Sequence, residues 1–314
     1  MDDFLFQAAV PKTFQLQLMP PSSNRIGENN SGAVVQEIRV LNPNKNQLKM
    51  RLRLSYQHNG NDVTEQSDSE VQSGLPEGTR AVVNVSGQNV LDYKRKWTEG
   101  FKQNVINSRI ETTKLLAKSI KRMAKKPDVF VTISGVGAYE PSLTKEYTEE
   151  SECGHDFMAE LCREWENAAI LPPELGVRNV IIRSGVVLGK DGGIVNEIFY
   201  PFYMGLGGPI ASGKQYFPWI HIDDLINLFL FAIEEKHVNG VLNGVSPQPI
   251  TNYEFTKAVG RAMWRPTLIP LPEFVVKLLF GSERAVMMTA GQKVIPKRTL
   301  QLGFQYMFPH IDSA

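Results

Sequence analysis

The pattern of apolar and polar residues changes character near residue 70. Before that point Phe14-Gln15-Leu16-Gln17-Leu18 alternates strictly, Met50 to Tyr56 does the same, and Ala33 to Val40 mixes β-branched with polar side chains. Turn-forming clusters separate these runs: Pro20-Pro21-Ser22-Ser23-Asn24, Asn42-Pro43-Asn44 and His58-Asn59-Gly60-Asn61. Period-two alternation punctuated in this way predicts antiparallel strands buried on one face. The polar stretch Asp62 to Ser73 reads as a junction.

Beyond the junction the strands become continuous apolar runs. Ala81 to Val85, Val129 to Ile133 and Asn179 to Ile182 suit strands covered on both faces. Between them, Phe101, Val105, Ile106, Leu115, Leu116 and Ile120 fall mostly at helical spacing and predict a helix over 98–124. A second helix is expected over His155 to Ile170, and later ones near 223–235, 251–263 and 273–280. Strands alternating with helices predict an α/β fold with a doubly wound parallel sheet.

Composition narrows the classes without choosing one. The 314 residues carry a formal net charge of +1, which gives no global pull toward nucleic acid or an anionic membrane. The cysteines, Cys153 and Cys162, are too few for a disulfide framework or a cysteine-based zinc site, so no metal is expected. No apolar run reaches the roughly 18 residues of a membrane span. An acidic start, Met1-Asp2-Asp3, fits neither a secretory leader nor an Arg-rich transit peptide. The expected location is cytoplasmic.

Candidate chemistry gathers at the strand ends, where open parallel sheets bind ligands. Asn84-Val85-Ser86-Gly87 closes the first apolar run; a glycine there lets backbone approach a cofactor, or simply makes a turn. Ser134 and Tyr139 lie in Ser134-Gly135-Val136-Gly137-Ala138-Tyr139 after the second, and a hydroxyl at that tip can donate to a substrate oxygen. Gly135 and Gly137 do not form a phosphate loop, because no third glycine follows and no helix is expected to open there. Arg183-Ser184-Gly185 ends the third strand. His221 precedes Asp223 and Asp224, either of which makes a good N-cap for the next helix. A packed, hydrogen-bonded histidine is the commoner alternative to a proton carrier at His221.

Taken in order, Asn84-x-x-Gly87, Ser134-Gly135-x-Gly137-x-Tyr139, Arg183-Ser184-Gly185-Val186-Val187-Leu188-Gly189 and Trp219-Ile220-His221-Ile222-Asp223-Asp224-Leu225 resemble the extended short-chain dehydrogenase/reductases. Gly205 to Leu225, and the tail Gly291 to Arg298 with Gly303-Phe304, resemble the atypical epimerase family of that superfamily with its C-terminal domain of unknown function. The resemblance runs over about residues 68–309. It implies a Rossmann-type sheet with a smaller C-terminal substrate region, an NADP or NAD cofactor and a small-molecule substrate. It also implies cofactor contacts at Asn84, Gly87, Arg183, Ser184 and Gly185, and catalysis by Ser134, Tyr139 and His221.

Two departures qualify that picture. The Tyr-x-x-x-Lys pair of short-chain dehydrogenases maps onto Met158 and Cys162, which offer neither a transferable phenol proton nor a fixed positive charge. The strand, Gly-rich turn and helix that should open the cofactor site are also missing, since neither glycine fingerprint occurs between Met1 and Ser73. That absence predicts weak dinucleotide binding or none.

The opening residues resemble something else. Phe6 to Leu18, Val40-Leu41-Asn42-Pro43 and Gln47 to Tyr56 look like the C-terminal half of a gamma-adaptin ear, an immunoglobulin-like β-sandwich of clathrin adaptors. That resemblance implies a groove at Ala9, Lys12, Leu18, Lys49 and Arg51 for acidic-aromatic peptides of trafficking accessory proteins, on an adaptor-coated Golgi or endosomal membrane. Ordinary strand-edge charges are the plainer account of the same residues. The expected organisation is an ear-like fragment over 1–67, a truncated nucleotide-binding domain over 68–250 and a C-terminal domain over 251–314, joined by a natural fusion or a faulty gene model. Three functions stay open: an oxidoreductase or epimerase, a nucleotide binder without chemistry, and a peptide-binding module.

Overall fold

The computed structural model describes residues 79–91, 95–190 and 193–314, Leu75, and the strands Gln15–Leu18, Ala33–Leu41 and Gln47–Ser55. The chain forms two compact units. The first comprises Met1–Gln88, Lys102–Ile133 and Glu164–Val180; the second comprises Asn89–Phe101, Ser134–Arg163 and Ile181–Ala314. This division cuts across the linear one into 1–67, 68–250 and 251–314. In an alternating α/β chain each crossover carries the backbone onward, so sequence neighbours separate and distant segments share a core.

In the first unit, β1 (Gln15–Leu18), β2 (Ala33–Leu41) and β3 (Gln47–Ser55) form an antiparallel sheet in that order. Gln15 lies opposite Leu41, and Ala33 opposite Ser55. The alternating runs therefore became the strands their period predicts. The same unit holds β4 (Ala81–Asn84), which pairs in parallel with β5 (Val129–Gly135). The sheet order is β10-β7-β5-β4, with β7 at Arg178–Ser184 and, in the second unit, β10 at Gly240–Gly244. Helix α1 (Glu99–Arg122) buries Val105, Ala117 and Ile120. Ala117 and Ile120 pack with Val82, Phe130, Ala169, Leu171 and Val177 into one core. The ends of α1 are electrostatically matched: Glu99 lies in its first turn and Lys121 and Arg122 in its last. The Lys126 ammonium closes the C-terminus by donating to the carbonyls of Lys121 and Met123.

Helix α2 spans Phe157–Ala169. The second unit adds short strands with no readable period: β6 (Glu146–Tyr147) parallel to β11 (Lys293–Val294), and β8 (Val186–Gly189) parallel to β9 (Trp219–His221). Its helices are α3 (Gly193–Tyr203), α4 (Ile222–Glu234), α5 (Asn252–Met263), α6 (Glu273–Phe280), α7 (Ser282–Thr289) and α8 (Lys297–Gln301). Helix α5 starts on a complete capping box, with the Thr251 hydroxyl accepting from the Glu254 amide and the Glu254 carboxylate from the Thr251 amide. One core of this unit gathers Leu188, Trp219, Ile250 and Phe255. Another stacks Tyr139 on Tyr147, ring centroids 5.2 Å apart, beside Val245 and Val294.

The start of α4 corrects an expectation. Its N-cap is His221, whose Nδ1 accepts from the Asp223 amide at 3.2 Å; Asp223 and Asp224 fall in the first helical turn instead.

Candidate functional site

At the end of β4, in the first unit, Asn84 is buried and both ends of its amide are hydrogen-bonded. Nδ2 donates to Thr113 Oγ1 at 2.7 Å, and Oδ1 accepts from both the amide and the hydroxyl of Ser86. Gly87 follows. A Cβ there would stand 3.1 Å from the Arg109 guanidinium, so the glycine makes room for an arginine that itself lies 5.1 Å above the Trp165 ring. The Gln88 amide donates to Ser108 Oγ. This strand end is thus polar and closed by protein on the glycine's open face.

The second unit holds the remaining strand ends. Ser134 is buried on the last part of β5. The turn after it packs on α2: a Cβ on Gly135 would lie 3.7 Å from Cys162 Sγ, and one on Gly137 would lie 3.4 Å from Met158 Cβ. Those two positions, four residues apart, occupy one face of α2. The structure therefore sets a thioether and a buried thiol against the turn that follows Ser134.

Tyr139 is fully buried and donates its hydroxyl to Asn243 Oδ1 at 2.8 Å. Burial, the largest influence, pushes this phenol above its ordinary range against the opposing pull of Arg183. Arg183 is buried too; its guanidinium lies 5.0 Å over the Tyr139 ring and donates to Cys153 Sγ at 3.4 Å. Asn243, on β10, passes the network on: Nδ2 donates to the Ile295 carbonyl, and its backbone amide donates to Glu149 Oε1. Glu149 also accepts from the amides of Arg298 and Thr299. Asn243 and Glu149 were not among the expected site residues. An asparagine inside a strand and a glutamate in a loop carry no local signal, and Tyr139 and Asn243 are 104 positions apart.

The other expected residues lie as follows. Ser184 Oγ donates to the Gly185 carbonyl at 2.9 Å. A Cβ on Gly185 would come within 2.7 Å of the Pro218 carbonyl oxygen, so this glycine serves the close approach of two backbone segments. His221, besides capping α4, packs its ring on Phe308 at 3.9 Å. A cavity of about 290 Å³, lined by Glu149, Glu150, Lys297, Arg298, Gln301 and Leu302, includes none of the expected catalytic residues. No cluster of potential metal ligands occurs among the described residues. None of their helices is long and apolar enough to cross a membrane. Of the expected peptide-groove residues, Ala9 and Lys12 lie outside the described residues. Leu18 stands opposite Ile38, Lys49 opposite Arg39 and Arg51 opposite Glu37 in strand register.

The chain resembles known proteins in separate stretches. The adaptin C-terminal domain model matches residues 1–71, and a model of a domain of unknown function, DUF1731, matches residues 271–314. The human epimerase family protein SDR39U1 is 50% identical over 248 residues, covering 79% of this chain and 84% of the relative. The mouse protein of the same name is 50% identical over 245 residues, covering 77% of this chain and 83% of the relative. A crystal structure of the human protein with NADPH superposes with a TM-score of 0.77 at 49% identity, covering 79% of this chain and 83% of that one.

Proposed function

The chain belongs to the epimerase family, and from that premise we propose that it is an NADP(H)-type nucleotide-binding protein whose cofactor affinity is low and whose helix α2 offers no proton relay. The observation that carries this reading is the pairing of Gly135 with Cys162 and Gly137 with Met158. A thioether holds no proton to transfer, and a neutral thiol supplies no fixed charge to lower the pKa of a neighbouring acid. Tyr139 does not replace the missing phenol, because its hydroxyl is buried and already donated to Asn243.

The residues present fit a dinucleotide only in part. Asn84, Ser86 and Ser134 put polar groups at or just beyond strand ends. A pyrophosphate needs a Gly-rich turn opening a helix, so that several backbone amides converge on it. No such fingerprint stands between Met1 and Ser73, and the face of Gly87 is filled by Arg109. No hydride step is therefore derived. Fluorescence titration of reduced cofactor against the full chain tests the reading: weak, unsaturated binding is expected, and micromolar affinity would overturn it.

The N-terminal match supports a second reading for that region alone: an ear-like fragment that attracts acidic-aromatic peptides through Lys12, Lys49 and Arg51. Among the described residues this region shows three strands, against the seven or so of such a sandwich. The expected affinity is accordingly weak and salt-sensitive. A pull-down with such a peptide, repeated with Lys12→Glu and Arg51→Glu, distinguishes it. Salt-resistant capture lost in both variants would establish a working ear.

A further inference from the structure

The second unit carries a large exposed apolar patch built from two chain segments. Tyr200, Tyr203 and Met204 come from α3 and the turn after it; Trp264, Leu268 and Ile269 come from the stretch after α5. The segments are physically joined. Arg265 Nε donates to the Tyr203 carbonyl at 2.8 Å, and its guanidinium lies 5.2 Å over the Tyr203 ring. The Leu271 amide donates to the Pro209 carbonyl at 2.9 Å, and a Cβ on Gly208 would collide with the Ile269 carbonyl. Helix α6 extends the surface with Phe274 and Leu278, four residues apart and 71% and 82% exposed. Soluble surfaces rarely leave so many large side chains wet in one area without a contact to make.

Trp264 is the sharpest feature. It is 89% exposed and sits at φ 54°, a left-handed backbone that disfavours a bulky L-residue. Its amide donates to the Arg261 carbonyl, which fixes its backbone at the end of α5. A residue that is both conformationally costly and left in water points to a contact outside the chain.

The charge pattern says which contact. Residues 198–213 and 266–272 contain no charged side chain. Glu273 is neutralised by Lys277 at 2.7 Å. Arg265, between the two runs, has no carboxylate partner among the described residues. A symmetric contact with a second copy would place this cation against an apolar or like-charged surface. A lipid headgroup offers a phosphate, and indole and phenol rings settle at that depth with aliphatic chains beneath. We propose that this patch docks the second unit onto an anionic phospholipid surface, with Trp264, Tyr203 and Tyr200 at headgroup depth and Arg265 on a lipid phosphate.

Vesicle co-sedimentation of the full chain tests the proposal, using phosphatidylcholine alone and phosphatidylcholine mixed with phosphatidylglycerol. Binding to the mixed vesicles is expected, together with a blue shift of tryptophan emission. The triple variant Trp264→Ser, Leu268→Ser, Leu278→Ser should lose both, with binding falling roughly tenfold or more. Arg265→Glu should weaken binding to the mixed vesicles selectively, also by about tenfold. All four side chains lie on the surface, so far-ultraviolet dichroism should be unchanged; if the triple variant fails to fold, Arg265→Glu carries the test. Absence of vesicle binding would overturn the proposal. So would a concentration-dependent dimer in sedimentation velocity that the triple variant abolishes, since the patch would then be a contact between copies.

Discussion

Tyr139 donates a hydrogen bond from its hydroxyl to the side-chain carbonyl of Asn243 at 2.8 Å, with neither residue reaching solvent. The bond links the turn after β5 to β10, and Asn243 extends it to Glu149 and the start of α8. Tyr139→Phe removes the donor and leaves a buried acceptor short of a partner. The expected loss is about 1–3 kcal/mol of unfolding free energy. Urea denaturation reads it. A variant as stable as the parent would show the hydroxyl to be free for other work.

Gly185 is fixed by space. A Cβ would lie 2.7 Å from the Pro218 carbonyl oxygen and 3.0 Å from Val245 Cγ1. The Gly185 amide also donates to the Gly244 carbonyl, and the Val186 amide to that of Pro218, so the backbones cannot part freely. Gly185→Ala should cost about 1–3 kcal/mol, read as a lowered thermal midpoint. The result separates packing from cofactor approach, because the loss is expected with no nucleotide present.

These cases show what the chain discloses before its structure is known. The runs at Ala81, Val129 and Asn179 became β4, β5 and β7 because an apolar stretch of that length has few alternatives in a parallel sheet. The helix expected over 98–124 is α1 at Glu99–Arg122, and that expected over 155–170 is α2 at Phe157–Ala169. Strands of two to four residues such as β6, β8, β9 and β11 are too short to show a period. Helix α3 was hidden because its last part, Ile198 to Tyr203, lacks charged side chains and holds Pro201. At the site, Met158 and Cys162 were legible by counting along α2. The roles of Asn243, Glu149 and Arg109 depend on tertiary contacts that no local pattern records.

His221 separates a structural from a chemical role. Its Nδ1 accepts from the Asp223 amide, which places the proton of the neutral ring on Nε2. His221→Asn keeps a good N-cap, whereas His221→Leu removes it at a cost of about 0.5–2 kcal/mol. The expected order of thermal midpoints is parent close to Asn and both above Leu. Should an intact relative with measurable turnover lose activity on the equivalent Asn change while keeping its midpoint, the histidine would belong to the chemistry.

Asp224 gives stability a pH dependence of unusual sign for a carboxylate. It has no exposed surface, and its two oxygens accept separately from the Met307 and Phe308 amides, at 2.7 Å and 3.0 Å. Burial is the largest influence and raises its pKa; the two amides and His221 oppose this only partly, while Asp223 adds to it. A raised folded-state value means that the native chain holds this proton more tightly than the unfolded chain. The contribution is full below the ordinary carboxylate range, falls as pH climbs through the folded-state value and is constant above it. Glu234, also raised by burial, carries the same sign. Asp224→Asn deletes the titration and retains one acceptor oxygen, but turns an amide donor toward a backbone N–H. Unfolding free energies for parent and variant, taken from mildly acidic to neutral pH, should therefore differ in slope, the parent losing stability relative to Asp224→Asn as pH rises. The variant should also be weaker by about 1–3 kcal/mol at acidic pH, from the unmatched amide. A parent that gains stability relative to the variant across that window would mean that the Met307 and Phe308 amides outweigh burial and hold Asp224 ionised.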